Sequence, residues 1–281
     1  MLHPFILEDS IRLCLIDAGN STLKYQLCQL KAPDDKKYSS RYRVVDRQLA
    51  HAEDLPGLLA RASGDTQFVV ASVRAPSFLD PLRGRNVQCV RVPRSSKSLS
   101  LAYEKVDDLG VDRWLAMLAA SALCGSDQAN TLTLVIDSGT AVTADLIECS
   151  MHGPAKHLGG WILPGQGLQL TAINLTGRIN LSDPITNQAR AQIGNSTQSC
   201  VLSAIAHASD GFISSVIDYA HKRASDIRII GSGGGMSLAK LQALAGRVQE
   251  RLIERCSYRS ELVFEGMEYA LCHDEATFAR L

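Results

Sequence analysis

Two stretches of this chain repeat one another at close to half its length. Arg12–Asp17 is a short apolar run that ends in an acid; a turn holding Gly19 follows, then Leu23–Cys28 in near alternation. Leu132–Asp137 behaves the same way, with Ser138–Ala141 as the turn and Thr143–Glu148 as the returning run. Each reads as a strand, a tight turn and an antiparallel strand. Two copies of one such unit predict two similar α/β lobes, residues 1–130 and 131–281, with a cleft between them.

The remaining pattern fits that plan. Strands are expected at Arg43–Leu49, Phe68–Ala71, Val87–Val90, His157–Leu163 and Ile227–Ile230, with a last short one at Leu262–Phe264. Helices are expected at Leu55–Ala62, Ser77–Leu82, Val111–Leu123, Gln166–Leu175, Cys200–His221, Ser237–Leu244 and Met267–Cys272. Lys31–Ser40 is polar and charged and reads as a surface loop.

Composition narrows the function classes. Lys and Arg number 29 and so do Asp and Glu. A neutral balance gives no electrostatic footprint for nucleic acid or an anionic membrane. No apolar run approaches the roughly 20 residues of a bilayer span, and the first nine residues lack the basic and apolar regions of a signal peptide. The eight Cys are scattered, without a Cys-x-x-Cys pair. They are expected to be buried apolar thiols in a reducing cytoplasm rather than disulfides or metal ligands.

The chemistry is carried by the two acidic turns. Gly19 and Gly139 let the backbone approach a ligand closely. Backbone N–H groups in such turns can cradle phosphate oxygens, and Asn20, Ser21, Thr22, Thr140 and Thr143 can add hydrogen bonds. Asp17 and Asp137 can hold Mg²⁺ through water, because Mg²⁺ dehydrates reluctantly. Lys24 can reach a β- or γ-phosphate as a point charge. One copy alone is most simply an ordinary hairpin; two copies at half-chain spacing point to a phosphate ligand. The chain has no Gly-x-x-x-x-Gly-Lys-[Ser/Thr], which excludes a P-loop by motif. Gly231-Ser-Gly-Gly-Gly235, after a strand and before a helix, suits an adenosine pocket or a helix cap. Gly110-Val-Asp-Arg113 opens the apolar helix that begins near Val111. Asp112 there can accept a proton from a hydroxyl, and Arg113 can bind a carboxylate by two hydrogen bonds; a helix N-cap with a solvated Arg is the alternative.

Taken in order, these motifs resemble the type III pantothenate kinases of the acetate and sugar kinase/Hsp70/actin superfamily. Asp17-Ala-Gly-Asn-Ser-Thr-Leu-Lys24 resembles the family's first phosphate motif, and Asp137-Ser-Gly-Thr-Ala-Val-Thr-Ala-Asp145 its second. Tyr103 with Leu109-Gly-Val-Asp-Arg113 resembles the pantothenate motif, and Gly159-Gly-Trp-Ile-Leu-Pro-Gly165 the subunit-interface motif. Ser196-Thr197 resembles a segment that supplies a Thr to the neighbouring subunit's pantothenate site. Three departures stand out: no Pro in Glu104–Asp108, no Pro in Thr171–Gly177, and no Gly near Ala204.

The resemblance implies an actin-like (ribonuclease H-like) fold of two lobes, with mixed sheets and flanking helices. It implies ATP-dependent phosphorylation of pantothenate, with Asp112 as the base. Tyr103, Gly110, Val111, Arg113 and Thr197 are then expected at pantothenate. Thr140 and the first motif are expected at ATP with a divalent cation, and Asp137 at K⁺ or NH₄⁺. A cytoplasmic homodimer with a composite active site is expected.

Overall fold

The computed structural model describes residues 13–20, 22–30, 42–50, 55–62, 64–124, 131–150, 153–177, 181 and 193–281. Ser21 and the expected 31–40 loop lie outside these residues. Contacts divide the chain into two units, Met1–Leu123 with Leu262–Leu281, and Cys124–Glu261.

In the first unit, β1 (Leu13–Ala18), β2 (Leu23–Leu30), β3 (Tyr42–Ala50), β4 (Gln67–Ser72) and β5 (Val87–Val90) build the sheet, which β12 (Phe278–Arg280) completes. The order is β12-β5-β4-β1-β2-β3. β1 pairs antiparallel with β2, with Asp17 opposite Lys24, and parallel with β4, with Asp17 opposite Ala71. Cys14 and Ile16 face one side, in a cluster with Phe68, Val70 and the helix α1 (Leu55–Arg61) residues Leu55, Leu58 and Leu59. Leu15 and Val69, on the other side, are equally buried. A strand covered on both faces needs no polar alternation, which is why β1 reads as a continuous apolar run. Each fully buried side chain of this size contributes about 1.5–3 kcal/mol.

Helix α2 (Val111–Ala122) packs on the helix at Leu262–His273 (α6 in chain order). The contact is close because Gly266 lies on the backbone of α2: a Cβ there would stand 2.6 Å from the Leu115 carbonyl carbon. Two expectations are corrected at this point. Leu262–Phe264 is the first turn of α6, not a strand; Leu262, Gly266, Met267 and Ala270 are buried at helical spacing, which a three-residue apolar run cannot reveal. The last 20 residues therefore belong to the first unit, not to a lobe running from 131 to the end.

In the second unit, β7 (Leu132–Ser138), β8 (Ala141–Glu148), β9 (Ala155–Pro164), β10 (Ile227–Ser232) and β11 (Cys256–Tyr258) run in the order β11-β10-β7-β8-β9. β7 is antiparallel to β8 and parallel to β10. The arrangement repeats that of β5-β4-β1-β2-β3 strand for strand. Each unit thus has the mixed-sheet topology of the actin-like fold, and the sequence repeat is a repeat of topology. A further strand, β6, has only two residues, Leu99–Ser100.

Helices α3 (Gln166–Asn174), α4 (Thr197–Arg223) and α5 (Leu238–Val248) belong to this unit. Ile213, Val216, Ile217 and Ala220 of α4 and Leu241, Leu244 and Ala245 of α5 form one core with Leu134, Ile136 and Ala144. By length and composition α4 could cross a bilayer, which corrects the expectation that nothing here approaches that length. Its apolar face is spent on the core instead.

The cysteines also need correcting. Cys124 and Cys149 form a disulfide, both sulfurs 3.8 Å from the Thr133 hydroxyl. Cys200 is exposed. Cys14 and Cys28 fit the expectation of buried thiols. Burial, with Cys28 nearby, raises the Cys14 thiol far above its usual range. Burial, helped by Glu268 and opposed by Arg47, pushes Cys28 up to about 12.

Candidate active site

In the first unit, two of the sequence motifs meet at one end of the sheet. The apolar length of β1 delivers Asp17 to its C-terminal end, followed by the Gly19–Thr22 turn and Lys24 on the returning strand. Beside it, the Val73 N–H just past β4 donates to the Ala18 carbonyl at 3.2 Å. A Cβ on Gly110 would stand 3.8 Å from the Val73 side chain and 2.5 Å from Asp112 Oδ1. Gly110, the N-cap residue of α2, therefore brings the helix start onto the ends of β1 and β4, and a larger residue would displace the Asp112 carboxylate. Open α/β sheets bind ligands outside the C-terminal ends of their strands.

Asp112 lies in the first turn of α2, and its Oδ1 accepts the Arg113 N–H at 2.7 Å. That placement suits a carboxylate electrostatically, since a helix N-terminus carries partial positive charge. Arg113 is 6% exposed, and its Nη1 donates to the Tyr103 hydroxyl at 2.8 Å, with Cζ 5.7 Å from the ring centroid. The Arg is thus neither solvated nor incidental to a cap. Val111 is the first residue of the helix and half-buried.

In the second unit, Asp137 stands opposite Thr143 on β8 and Ser232 on β10. The turn after it is built by glycines remote in sequence. Gly165 donates to the Thr140 carbonyl at 2.9 Å, and a Cβ there would stand 2.9 Å from the Thr140 carbonyl carbon. Gly233, at φ +85°, leaves room for Asp137: its Cβ would stand 2.7 Å from Oδ1. Gly235 donates to the Ser138 carbonyl at 2.8 Å. The Gly231–Gly235 stretch is thus more than a flexible cap; it lies against the Asp137–Ser138 turn. Gly165, read from sequence only as the end of an interface motif, seats the Thr140 turn. Its signal was the Pro164-Gly165 pair closing a strand.

Thr197 is exposed as the first residue of α4, whose N-cap Ser196 and Ser199 form a reciprocal capping box. Among the described residues no three His, Cys, Asp or Glu are grouped to hold a metal ion. Single carboxylates such as Asp17 and Asp137 still fit Mg²⁺, which keeps most of its waters and takes one or two carboxylates beside substrate phosphates.

The profile of the type III pantothenate kinase family matches residues 13–219. The chain belongs to the type III pantothenate kinase family. It is 31% identical over 271 residues to a type III pantothenate kinase of Colwellia psychrerythraea, covering 92% of this chain and 100% of that one. A type III pantothenate kinase of Pseudomonas fluorescens is 31% identical over 273 residues, 91% of this chain and 97% of its own. A solved glucokinase from an Antarctic psychrotroph is similar at a TM-score of 0.43 and 11% identity, over 94% of this chain and 98% of that one. So distant a likeness adds nothing to the assignment. Type III pantothenate kinases phosphorylate pantothenate in coenzyme A biosynthesis, and both the acidic turns and the Gly110–Arg113 motif of this member lie within the matched span.

Proposed function

We propose that this kinase transfers the γ-phosphoryl group of ATP to the primary hydroxyl of pantothenate, with Asp112 as general base. What supports this reading is the meeting of the Asp17 turn, the Asp112 carboxylate and the Arg113–Tyr103 pair at the ends of β1 and β4. Arg113 and Tyr103 bind the pantothenate carboxylate; Gly110 and Val111 shape the wall beside it. Asp112 takes the hydroxyl proton as the oxygen attacks phosphorus in line. Phosphoryl transfer needs little covalent help from the protein and depends on positioning and charge stabilisation.

Backbone N–H groups of the Gly19–Thr22 turn, with Asn20, Ser21, Thr22 and Lys24, hold the phosphates, and Thr140 of the second turn contacts ATP. Asp17 would hold a divalent cation, Mg²⁺ in the simplest case, and that ion would supply neutralisation of the phosphate charge. Asp137 holds K⁺ or NH₄⁺. The Gly231–Gly235 loop faces the adenosine side of the nucleotide.

Assembly is read as a homodimer. Ile162 on β9, Leu168 on α3, the C-cap residue Leu175 just past it and Tyr219 on α4 are exposed, Leu175 by 82%. Trp161 lies edge-on to Tyr219 at 5.1 Å. An apolar surface of this kind marks an interaction site. In the dimer, Thr197 of one subunit completes the pantothenate site of the other. The enzyme works in the cytoplasm; six free thiols suit a reducing compartment, where the Cys124–Cys149 bridge is the exception. Neither nucleic acid nor membrane is a partner.

ADP release coupled to a reporter, with pantothenate compared against a panel of sugars and carboxylic acids, tests the proposal. Turnover is expected with pantothenate and to require ATP. Preference for a sugar, or release of ADP without an acceptor, would reject it.

A further inference from the structure

Two residues of the second unit occupy places that local rules disfavour, and they meet. Lys240 sits in the first turn of α5, where Ser237 is the N-cap and accepts the Lys240 N–H at 3.2 Å. The positive end of a helix dipole is an unfavourable place for a cation. Asp210 sits on α4 with 6% exposure, beside core residues such as Ile213. A buried carboxylate is costly unless paired. Lys240 Nζ lies 3.4 Å from Asp210 Oδ1, so each offsets the other. The same Nζ donates to the Gly235 carbonyl at 3.2 Å.

That carbonyl belongs to a segment with four glycines in five residues, Gly231–Gly235. Glycine loses more conformational freedom on ordering than any other residue, so such a loop holds one shape only if tied down. Beyond the β10 ladder and the Arg259 N–H bond to the Gly231 carbonyl, three ties hold its turn. The Gly235 N–H donates to the Ser138 carbonyl, the Tyr258 hydroxyl donates to the Gly233 carbonyl at 3.2 Å, and Lys240 takes the Gly235 carbonyl. Ser138 follows Asp137 directly, and the residue that bonds it, Gly235, is held by its carbonyl to Lys240 and by its N–H to Ser138. A local rule broken twice for one contact marks a functional site rather than a stability device.

We infer that Lys240, braced by Asp210, is a positioning residue for the nucleotide: it fixes the Gly231–Gly235 loop against the Asp137–Ser138 turn. The inference rests on the reading that this loop faces the adenosine side of ATP. Lys240 touches neither ATP nor pantothenate. It acts through the loop, so its loss should weaken ATP binding and leave the chemical step intact.

Steady-state kinetics on the full chain tests this, with thermal midpoints measured alongside. Lys240→Met should raise KM for ATP by about tenfold, the scale for a lost hydrogen bond to a charged group. The pantothenate KM and kcat should stay within about twofold. Lys240→Arg, which keeps the charge and the donors, should recover most of the ATP affinity. Asp210→Asn should move the ATP KM the same way, and the double variant should be no worse than Lys240→Met, since the two act as a unit. Gly234→Leu tests the underlying reading by itself: a Cβ on Gly234 meets no protein atom within 4 Å, so bulk there blocks a ligand without disturbing the fold. It too should raise the ATP KM. If Gly234→Leu does so and Lys240→Met does not, the positioning role is wrong and the nucleotide reading stands. If neither does, the loop does not face the nucleotide and both fall. A Lys240→Met protein that loses thermal stability and kcat together at unchanged ATP KM makes the pair merely structural and overturns the inference.

Discussion

Arg113 and Tyr103 are joined to one another: Nη1 donates to the phenol oxygen at 2.8 Å while the guanidinium stands 5.7 Å from the ring centroid. The phenol oxygen takes one N–H of the guanidinium fork. Lys cannot reproduce a planar fork. Arg113→Lys should therefore raise the pantothenate KM by about tenfold or more, the scale for a hydrogen bond to a charged group. Tyr103→Phe should raise it less, because the ring remains. An unchanged pantothenate KM in Arg113→Lys would remove Arg113 from the substrate site.

Asp112→Asn keeps the shape of the α2 start and removes the proton acceptor. Loss of a general base typically lowers the rate by about 10²–10⁴. Binding of ATP, followed by a fluorescent analogue, should change little. Turnover near the wild-type kcat would show that another group takes the proton.

Asp137 lies between the 138–140 turn and Gly233, a setting in which a K⁺-sized ion could bridge carboxylate and phosphate. Activity should need K⁺ or NH₄⁺ and fail when Na⁺ replaces them at equal ionic strength. Equal rates in Na⁺ and K⁺ would leave Asp137 as a ligand of Mg²⁺ or water only.

If Thr197 serves the neighbouring subunit, two defective chains can complement each other. Mixing Asp112→Asn with Thr197→Ala under conditions of subunit exchange should create one intact site in each heterodimer. About half the sites in those heterodimers should regain activity, on the simple count that a two-fold dimer has two equivalent sites. Sedimentation showing an active monomer, or no recovery despite proven exchange and two inactive parents, would rule the composite site out.

The buried thiols predict a loss of stability in alkali. Burial raises Cys14 far above the ordinary thiol value of 9.0, and burial with Glu268 takes Cys28 to about 12. Burial takes Cys256 to about 11. A thiol whose folded pKa is raised contributes stability that is fully present below its unfolded pKa. That stability is lost as pH rises toward the folded value. Urea midpoints should therefore fall from about pH 9 upward, and more shallowly in Cys28→Ala than in the wild type. Parallel slopes in the two proteins would mean that the thiol does not contribute.

The repeat of strand, acidic turn and returning strand was legible because it is local. An apolar run closed by Asp and Gly, followed by alternation, has few conformations open to it, and both β1–β2 and β7–β8 formed as antiparallel pairs. The order of the motifs along the chain was enough to indicate the family. Leu262–Phe264 was not legible as a helix start, because three apolar residues carry no period; only packing of Gly266 on Leu115 decides it. Nor did spacing foretell the pairing of Cys124 with Cys149, which depends on where the end of β8 meets the chain beyond α2.

The sequence by itself determined the two strand–turn–strand units, the acids at their ends and the Gly110–Arg113 helix start, since each depends on neighbours along the chain. Tertiary structure alone decided that the last 20 residues belong with the first unit, that Gly165 and Gly233 make room for the Thr140 turn and Asp137, and that Lys240 meets Asp210. Those contacts join residues far apart in the chain. What selects them is the space left by packing and the charge left by burial, and neither is written at any single position.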